Sequence, residues 1–197
     1  MVTTNDKTLW SSFWSFKDHG KSWDAVKAQD PPTGFRWVHE SFGTNWRMIE
    51  MEAAIGRIQL RRMADWHDRR LLNAQRIWAT ASALPGLRVP AVPQDIVHAA
   101  YKCYVYVVPE QLREGWDRNR ILDQINASGV PCYAGSCSEV YLEKAFDGTG
   151  WRPAERLPVA KELGETSLMF LVHPTLAEAE IDKTCDVMSE VMRSATA

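Results

Sequence analysis

Long apolar runs, paired cysteines and a surplus of either charge are all missing from this 197-residue chain. No apolar run approaches the roughly 20 residues needed to cross a bilayer, and the opening MVTTNDKTLW has neither the basic stretch nor the apolar core of a secretory signal. Membrane insertion and secretion are not expected; the cytoplasm is. The four cysteines, Cys103, Cys132, Cys137 and Cys185, show no Cys-x-x-Cys spacing and no neighbouring histidine pair. That argues against a zinc site and a dithiol redox motif and leaves reduced thiols. With 23 basic and 25 acidic residues the formal net charge is -2. The basic residues are spread along the chain, so there is no electrostatic footprint for nucleic acid or for an anionic membrane surface. Repeats and low-complexity segments are absent as well.

What is present is an ordinary globular composition, 45% apolar and 24% charged, with nine tryptophans. The length admits one large domain or two small ones and a sizeable core. Residues 1–4 read as a short strand leaving a domain not otherwise present. Asn5-Asp6 caps a helix to about Phe16 whose stripe of Leu9, Trp10, Phe13, Trp14 and Phe16 is too heavy for a free surface. Between Gly20 and Gly43 there is no period, two adjacent prolines and scattered aromatics, the pattern of a long ordered loop. A helical period then holds from Met48 to about Leu84, where Pro85-Gly86 stops it, and its charged middle RRMADWHDRRL reads as a solvated face with i to i+4 pairs. Beyond it come a strand over Ala100–Val108, a helix over 117–127, and a strand over 129–133. Two short helices over 139–145 and 154–163, a strand over 166–172 and a last helix complete the chain. Thr175 and Glu178 offer a capping box for that last helix, whose stripe is Leu176, Ile181, Cys185, Met188 and Met192. The order from Ala100 describes a small α+β unit attached to a long helix.

One stretch, SFGTNWRMIEMEAAIGRIQL, places the amide of Asn45 and the guanidinium of Arg47 at the entry to a helix. A helix N-terminus has unpaired N–H groups and the positive end of the dipole, so polar donors there suit an anion. The plain alternatives are an N-cap for Asn45 and a salt bridge within the subunit for Arg47.

WSFKDHGKS, FGTNWRMIEMEAAIGRIQL, AYKCYVYVV, GVP and LPVAKELGETSLMFLVHPTLAEAEID, in that order and spacing, resemble the C-terminal half of the DegT/DnrJ/EryC1/StrS family of sugar-nucleotide aminotransferases. The resemblance implies an α+β architecture, the small domain of the fold-type I aspartate-aminotransferase fold. It divides the chain into a remnant of the large domain (1–47), a connecting helix (48–84) and the small domain (85–197). It implies pyridoxal phosphate as cofactor, a keto-sugar nucleotide as substrate, and a dimer in which Asn45, with Arg47, reaches the phosphate held by the neighbouring subunit. Arg36 and His39 would approach the neighbour's active site from the aromatic loop, and Tyr133, Ser136 and Ser138 would touch the sugar if their loop lines its pocket, the equal alternative being a plain strand-to-helix loop with Ser138 as N-cap. Many members carry a His-Tyr pair where this sequence has Gly135 and Ser136. His173 reads as a turn residue. The lysine that carries the cofactor covalently lies, in the family, upstream of the matched region, and Lys17 and Lys21 match a later, non-catalytic part of the pattern. The chain is therefore expected not to transaminate by itself. It would act as the C-terminal portion of an aminotransferase, as a homodimer, or alternatively as a non-catalytic partner of a full-length homologue or a structural remnant.

Overall fold

Residues 2–29 and 36–196 are described by the computed structural model, which divides into two units, Met1–Arg61 and Arg62–Ala197. In the first, Asp6 starts helix α1 (Lys7–Lys17) by accepting the Leu9 N–H at 2.9 Å, and Ser22 starts the short α2 (Trp23–Lys27) by accepting from Ala25. Segments 16–22 and 38–46 run side by side through Thr44 N–H to Phe16 O (2.7 Å), His19 N–H to Thr44 O (3.1 Å) and Ser22 N–H to Val38 O (2.9 Å). Glycine is what allows this approach. Gly20 has φ +86, and a Cβ there would lie 1.8 Å from Ser41 O, while one on Gly43 would lie 2.5 Å from Phe16 O.

Trp10 and Trp14 both pack edge-on against Trp23, at 5.2 and 5.0 Å between ring centroids. The other side of α1 stays open, and no residue of that helix is buried. Two expectations change here. Residues 2–4 form no strand, because no described segment of this unit offers a sheet edge for them to pair with; among its described residues the β contacts are the bridges Asp18 to Asn45 and Lys21 to His39. The aromatic loop is not wholly irregular, since it contains α2, and its double proline lies outside the described residues.

Helix α3 (Glu50–Ser82) is the long helix read from the sequence, and its last turns bring Ala74, Ile77 and Ala81 into the core of the second unit. Strands β1 (Leu87–Arg88), β2 (Cys103–Val107), β3 (Cys132–Tyr133) and β4 (Ser167–Phe170) form an antiparallel sheet in the order β1-β2-β4-β3. On β2, Cys103, Val105 and Val107 point inward while Tyr104 and Tyr106 are half-exposed, the period-2 alternation of a sheet with one buried face. Phe170 pairs with Cys103 on one side and Cys132 on the other. Ile121 and Ile125 of α4 (Arg118–Ala127) join them, with Ile181, Met188 and Met192 of α6 (Glu178–Ala195), in one apolar cluster. Helix α5 (Pro158–Thr166) precedes β4, and its C-terminal carbonyls at Gly164 and Ser167 accept from Arg118.

Four local expectations fail for identifiable reasons. Strand β1 was not anticipated; two residues are too few to show a period. The helix expected over 139–145 is two 3-10 turns, Val140–Leu142 and Lys144–Phe146. The Arg152 guanidinium takes the carbonyls of Tyr141, Leu142 and Glu143 that a continued helix would use, and Ser138 caps neither turn. The helix expected from Ala154 begins only at Pro158, whose missing N–H suits a first helical position. Helix α6 starts after Ala177, whose N–H donates to Glu180 (2.8 Å), while the Thr175 hydroxyl bonds His173 Nδ1 at 2.7 Å. The charged middle of α3 also departs from i to i+4 pairing. Arg69 reaches Glu178 of α6 and Arg70 lies 5.7 Å from the Tyr101 ring centroid, while Arg76, beyond that stretch, pairs with Asp182.

Candidate functional site

In the first unit the candidate residues gather at the bridge between Asp18 and Asn45. Asn45 Oδ1 accepts the Arg47 N–H at 3.3 Å, closing a local turn. The Asn45 side chain is exposed, and its amide nitrogen makes no hydrogen bond among the described residues. Arg47 pairs with the carboxylate of Asp18, which is 8% exposed, and Lys21 Nζ stands 3.7 Å from the same oxygen. The salt-bridge alternative for Arg47 is thus what the structure contains.

Asn45 does not cap a helix. Helix α3 begins at Glu50, and its end is served by Glu52, which accepts the Ile49 N–H at 3.2 Å, with Glu50 also in the first turn. Two carboxylates at a helix N-terminus stabilise the dipole and repel a phosphate. Asn45 thus stands upstream of α3, and the first turn of that helix carries carboxylates. Arg36 is half-buried and donates to Ala25 O at 3.4 Å; His39 is exposed and bridged to Lys21. No hydrogen bond ties either to Asn45 or Arg47.

The second unit gathers Tyr133, Gly135, Ser136 and Ser138 on the loop after β3. Gly135 has φ +90, and a Cβ there would lie 2.4 Å from Tyr104 Cε1, so the loop rests directly on that ring. The Ser136 N–H donates to Tyr104 Oη at 3.0 Å, and Lys102 Nζ donates to Ser136 Oγ at 2.8 Å. Burial raises the Tyr104 phenol, but the Ser136 hydrogen bonds and the Lys102 charge outweigh it and bring the pKa below the ordinary value. Beside the loop is a cleft of about 410 Å³, walled in part by Ser136, Cys137, Ser138, Glu139 and Arg156. Arg156 Nε and Tyr141 Oη donate to Glu139 Oε1 at 2.9 and 2.6 Å, and these bonds hold the Glu139 carboxyl at about 2. Tyr133 is 49% exposed at the sheet edge. His173 is the turn residue expected, with its carbonyl accepting from Asn73.

Sequence reasoning missed Lys102, Tyr104, Glu139 and Arg156. The first two carry a usable signal, being the polar outward positions of a strand that alternates. Glu139 and Arg156 are joined across a loop and carry none. Among the described residues there is no cluster able to hold a metal ion, and no helix is long and apolar enough to cross a membrane. All eight lysines are described and none is buried.

Comparison with known proteins sets these features in a family. The spore coat polysaccharide biosynthesis protein SpsC of Bacillus subtilis is 26% identical over 99% of this chain and 50% of its own length. GDP-perosamine synthase of Escherichia coli O157:H7 is 26% identical over 96% of this chain and 46% of its own. The crystal structure of an aminotransferase from Psychrobacter cryohalolentis matches 98% of this chain and 51% of that one, with 55% identity and a TM-score of 0.90. The chain spans about half the length of the curated relatives it matches. The sequence model of the DegT/DnrJ/EryC1/StrS aminotransferase family matches residues 1–189, and the chain belongs to that family.

Proposed function

We propose that this chain forms the small domain, connecting helix and phosphate-contacting segment of a pyridoxal-phosphate aminotransferase acting on keto-sugar nucleotides in the cytoplasm. The family match over residues 1–189 carries this reading, and the nucleotide sugar in the name of GDP-perosamine synthase supports the substrate class. Residues 1–47 belong to the large domain, 48–84 to the connecting helix and 85–197 to the small domain of a fold-type I subunit. The subunits pair as a homodimer.

The groups on this chain fit one end of the cofactor. The unbonded Asn45 amide, beside a turn whose Arg47 and Lys21 outnumber Asp18, suits a phosphate across the dimer interface. When bound, the cofactor supplies the electron sink for amino-group transfer. Here Asn45 would donate to the phosphate, and Asp18 would hold Arg47 in place behind it. Tyr133, Ser136 and Lys102 would offer hydrogen bonds to the sugar, and Arg36 and His39 would line the neighbour's pocket. By the family pattern none of the eight lysines stands at the position that carries the cofactor covalently. The chain alone therefore does not transaminate. The same observation favours a second reading, a non-catalytic chain that pairs with a full-length homologue and lends it Asn45.

Two measurements test this. Added pyridoxal phosphate followed by borohydride should leave no stoichiometric adduct on a single lysine of the isolated chain; such an adduct, with turnover, would show the chain complete in itself. In a full-length chimaera carrying this segment, Asn45→Ala should weaken cofactor retention by about 1.5–3 kcal/mol, ten- to a hundredfold. The cofactor-free melting temperature should fall by no more than the loss of the exposed Asn45–Arg47 turn bond costs, about 1 kcal/mol or less. Unchanged retention removes the phosphate role.

A further inference from the structure

The cleft beside the loop after β3, about 410 Å³, falls within the roughly 300–1,000 Å³ of small-molecule sites. Several groups on its walls still have bonds to give. Ser136 Oγ accepts from Lys102 Nζ at 2.8 Å, which leaves its own hydroxyl proton to donate outward. That hydroxyl is set before a ligand arrives, because Gly135 lies against the Tyr104 ring and the Ser136 N–H donates to Tyr104 Oη at 3.0 Å. Arg156 spends Nε and Nη2 on Glu139 and Glu165, and no described residue takes its Nη1. Glu143 gives its backbone carbonyl to Arg152, while its carboxylate has no ion pair among the described residues. Leu142, 46% exposed, adds an apolar wall.

Charge limits the occupant. Glu139, Glu143 and Glu165 line the cleft with a single guanidinium, that of Arg156, so a phosphate or carboxylate is repelled. A cation fares little better, since Arg156 and Tyr141 already fill Glu139 and Arg156 shares Glu165. A neutral group remains. It has to offer an acceptor to the Ser136 hydroxyl, a donor to the Glu143 carboxylate and an apolar surface to Leu142. A sugar hydroxyl meets the first two demands and leaves the third unmet. An amide bearing a short acyl chain meets all three.

We propose that the cleft takes an acylamino substituent of the sugar, so that the substrate is an acylamino keto-sugar nucleotide. This rests on the aminotransferase reading given above and narrows it. The acyl oxygen accepts from Ser136 Oγ, with Arg156 Nη1 as a further donor on the same cleft wall. The amide N–H donates to Glu143, and the acyl carbons lie on Leu142. Each removal of one of these bonds leaves a buried amide group unpaired, which is how such a site rejects a sugar without the substituent.

The test uses the full chain without cofactor, and the exposed Cys137 on the cleft wall is its reporter. The probes are N-acetyl-D-glucosamine, D-glucosamine and D-glucose, which differ only in the substituent at one ring carbon. N-acetylglucosamine should slow alkylation of Cys137 about threefold or more by covering the thiol, and leave the rate at Cys185 unchanged. In saturation-transfer NMR its acetyl methyl should receive more signal than its ring protons. Glucose and glucosamine at the same concentration should leave the Cys137 rate unchanged. Ser136→Ala and Glu143→Ala, both at exposed positions, should each weaken the N-acetyl sugar about two- to tenfold, the loss of one hydrogen bond. No protection by N-acetylglucosamine overturns the proposal. So does equal protection by glucose, which makes this a hydroxyl site, or stronger protection by glucosamine, which makes it an amine site on the carboxylates. Binding untouched by both variants overturns it too. Protection that stands while Asn45→Ala leaves cofactor retention unchanged keeps the acylamino site and removes the phosphate role. Retention lost on that change with Cys137 unprotected does the reverse.

Discussion

The two units of this chain solve the problem of stability in opposite ways. Every buried apolar residue described lies at Ala74 or beyond, in Arg62–Ala197, where a four-stranded sheet and three helices share one core. In Met1–Arg61 the buried described residues are Asp18 and Gly20, and order comes from caps, glycine-mediated backbone approach and an ion pair. Hydrogen bonds and caps specify a conformation at about 1 kcal/mol each but do not replace a core. The second unit has a core to fold around, whereas the described residues of the first leave its apolar side chains open.

Four experiments sharpen that contrast, or break it. Phe170→Ala empties the middle of the sheet and should cost about 3–5 kcal/mol in urea unfolding followed by circular dichroism. Phe13→Ala on the open face should stay within about 0.5 kcal/mol; equal losses would show that the first unit has a core after all. Gly135→Ala combines a positive φ with a clash on Tyr104 and should cost about 1–3 kcal/mol, read as a lower melting temperature. It should also raise the Tyr104 phenol toward its ordinary pKa in an absorbance titration, because the Ser136 bonds are lost.

The pH experiment is smaller in scale. The folded Glu139 carboxyl titrates near 2, below its ordinary 4.5, so its contribution is present above about pH 4.5 and is lost as pH falls through 2. Thermal melts of the wild type should decline across that window, and Glu139→Gln should lack that component. A decline of equal size in the variant would assign it to other carboxylates. Smallest in global terms is Asp6→Ala, which removes the α1 cap at a local cost of about 1 kcal/mol. Amide exchange at Leu9 should speed up while the main melting transition stays in place. A shifted main transition would mean that the two units unfold together.

Much of the second unit was legible because its signals are strong and local. Alternation in AYKCYVYVV gave β2, the three- and four-residue steps gave α3 and α6, and Asp117 marked the start of α4. What escaped depends on partners far along the chain. Arg152 drawing off the carbonyls of Tyr141 to Glu143 leaves no trace in the local pattern, nor does Glu139 meeting Arg156. For the candidate site, Asn45 and Arg47 stood out in the sequence as donors near a helix entry, and the structure puts both upstream of the first turn of α3. The Glu50 and Glu52 that fill the helix end were in view, but where that end falls was not. An unpartnered α1 was foreseeable from its aromatic stripe, since a face that heavy demands a cover whether or not the chain provides one.

The sheet also arranges the thiols unequally. Cys103 and Cys132 flank Phe170 in the core, where burial raises both well above the ordinary thiol range, Cys132 to about 12. Cys137, on the loop resting against Tyr104, is exposed. A buried thiol must be exposed before an alkylating reagent can reach it, so Cys137 and the half-buried Cys185 are open to labelling from the start, and Cys103 and Cys132 wait for the sheet to part. Counting labelled sulfurs against time therefore clocks the opening of the second unit from within, with no probe introduced and no signal from the first.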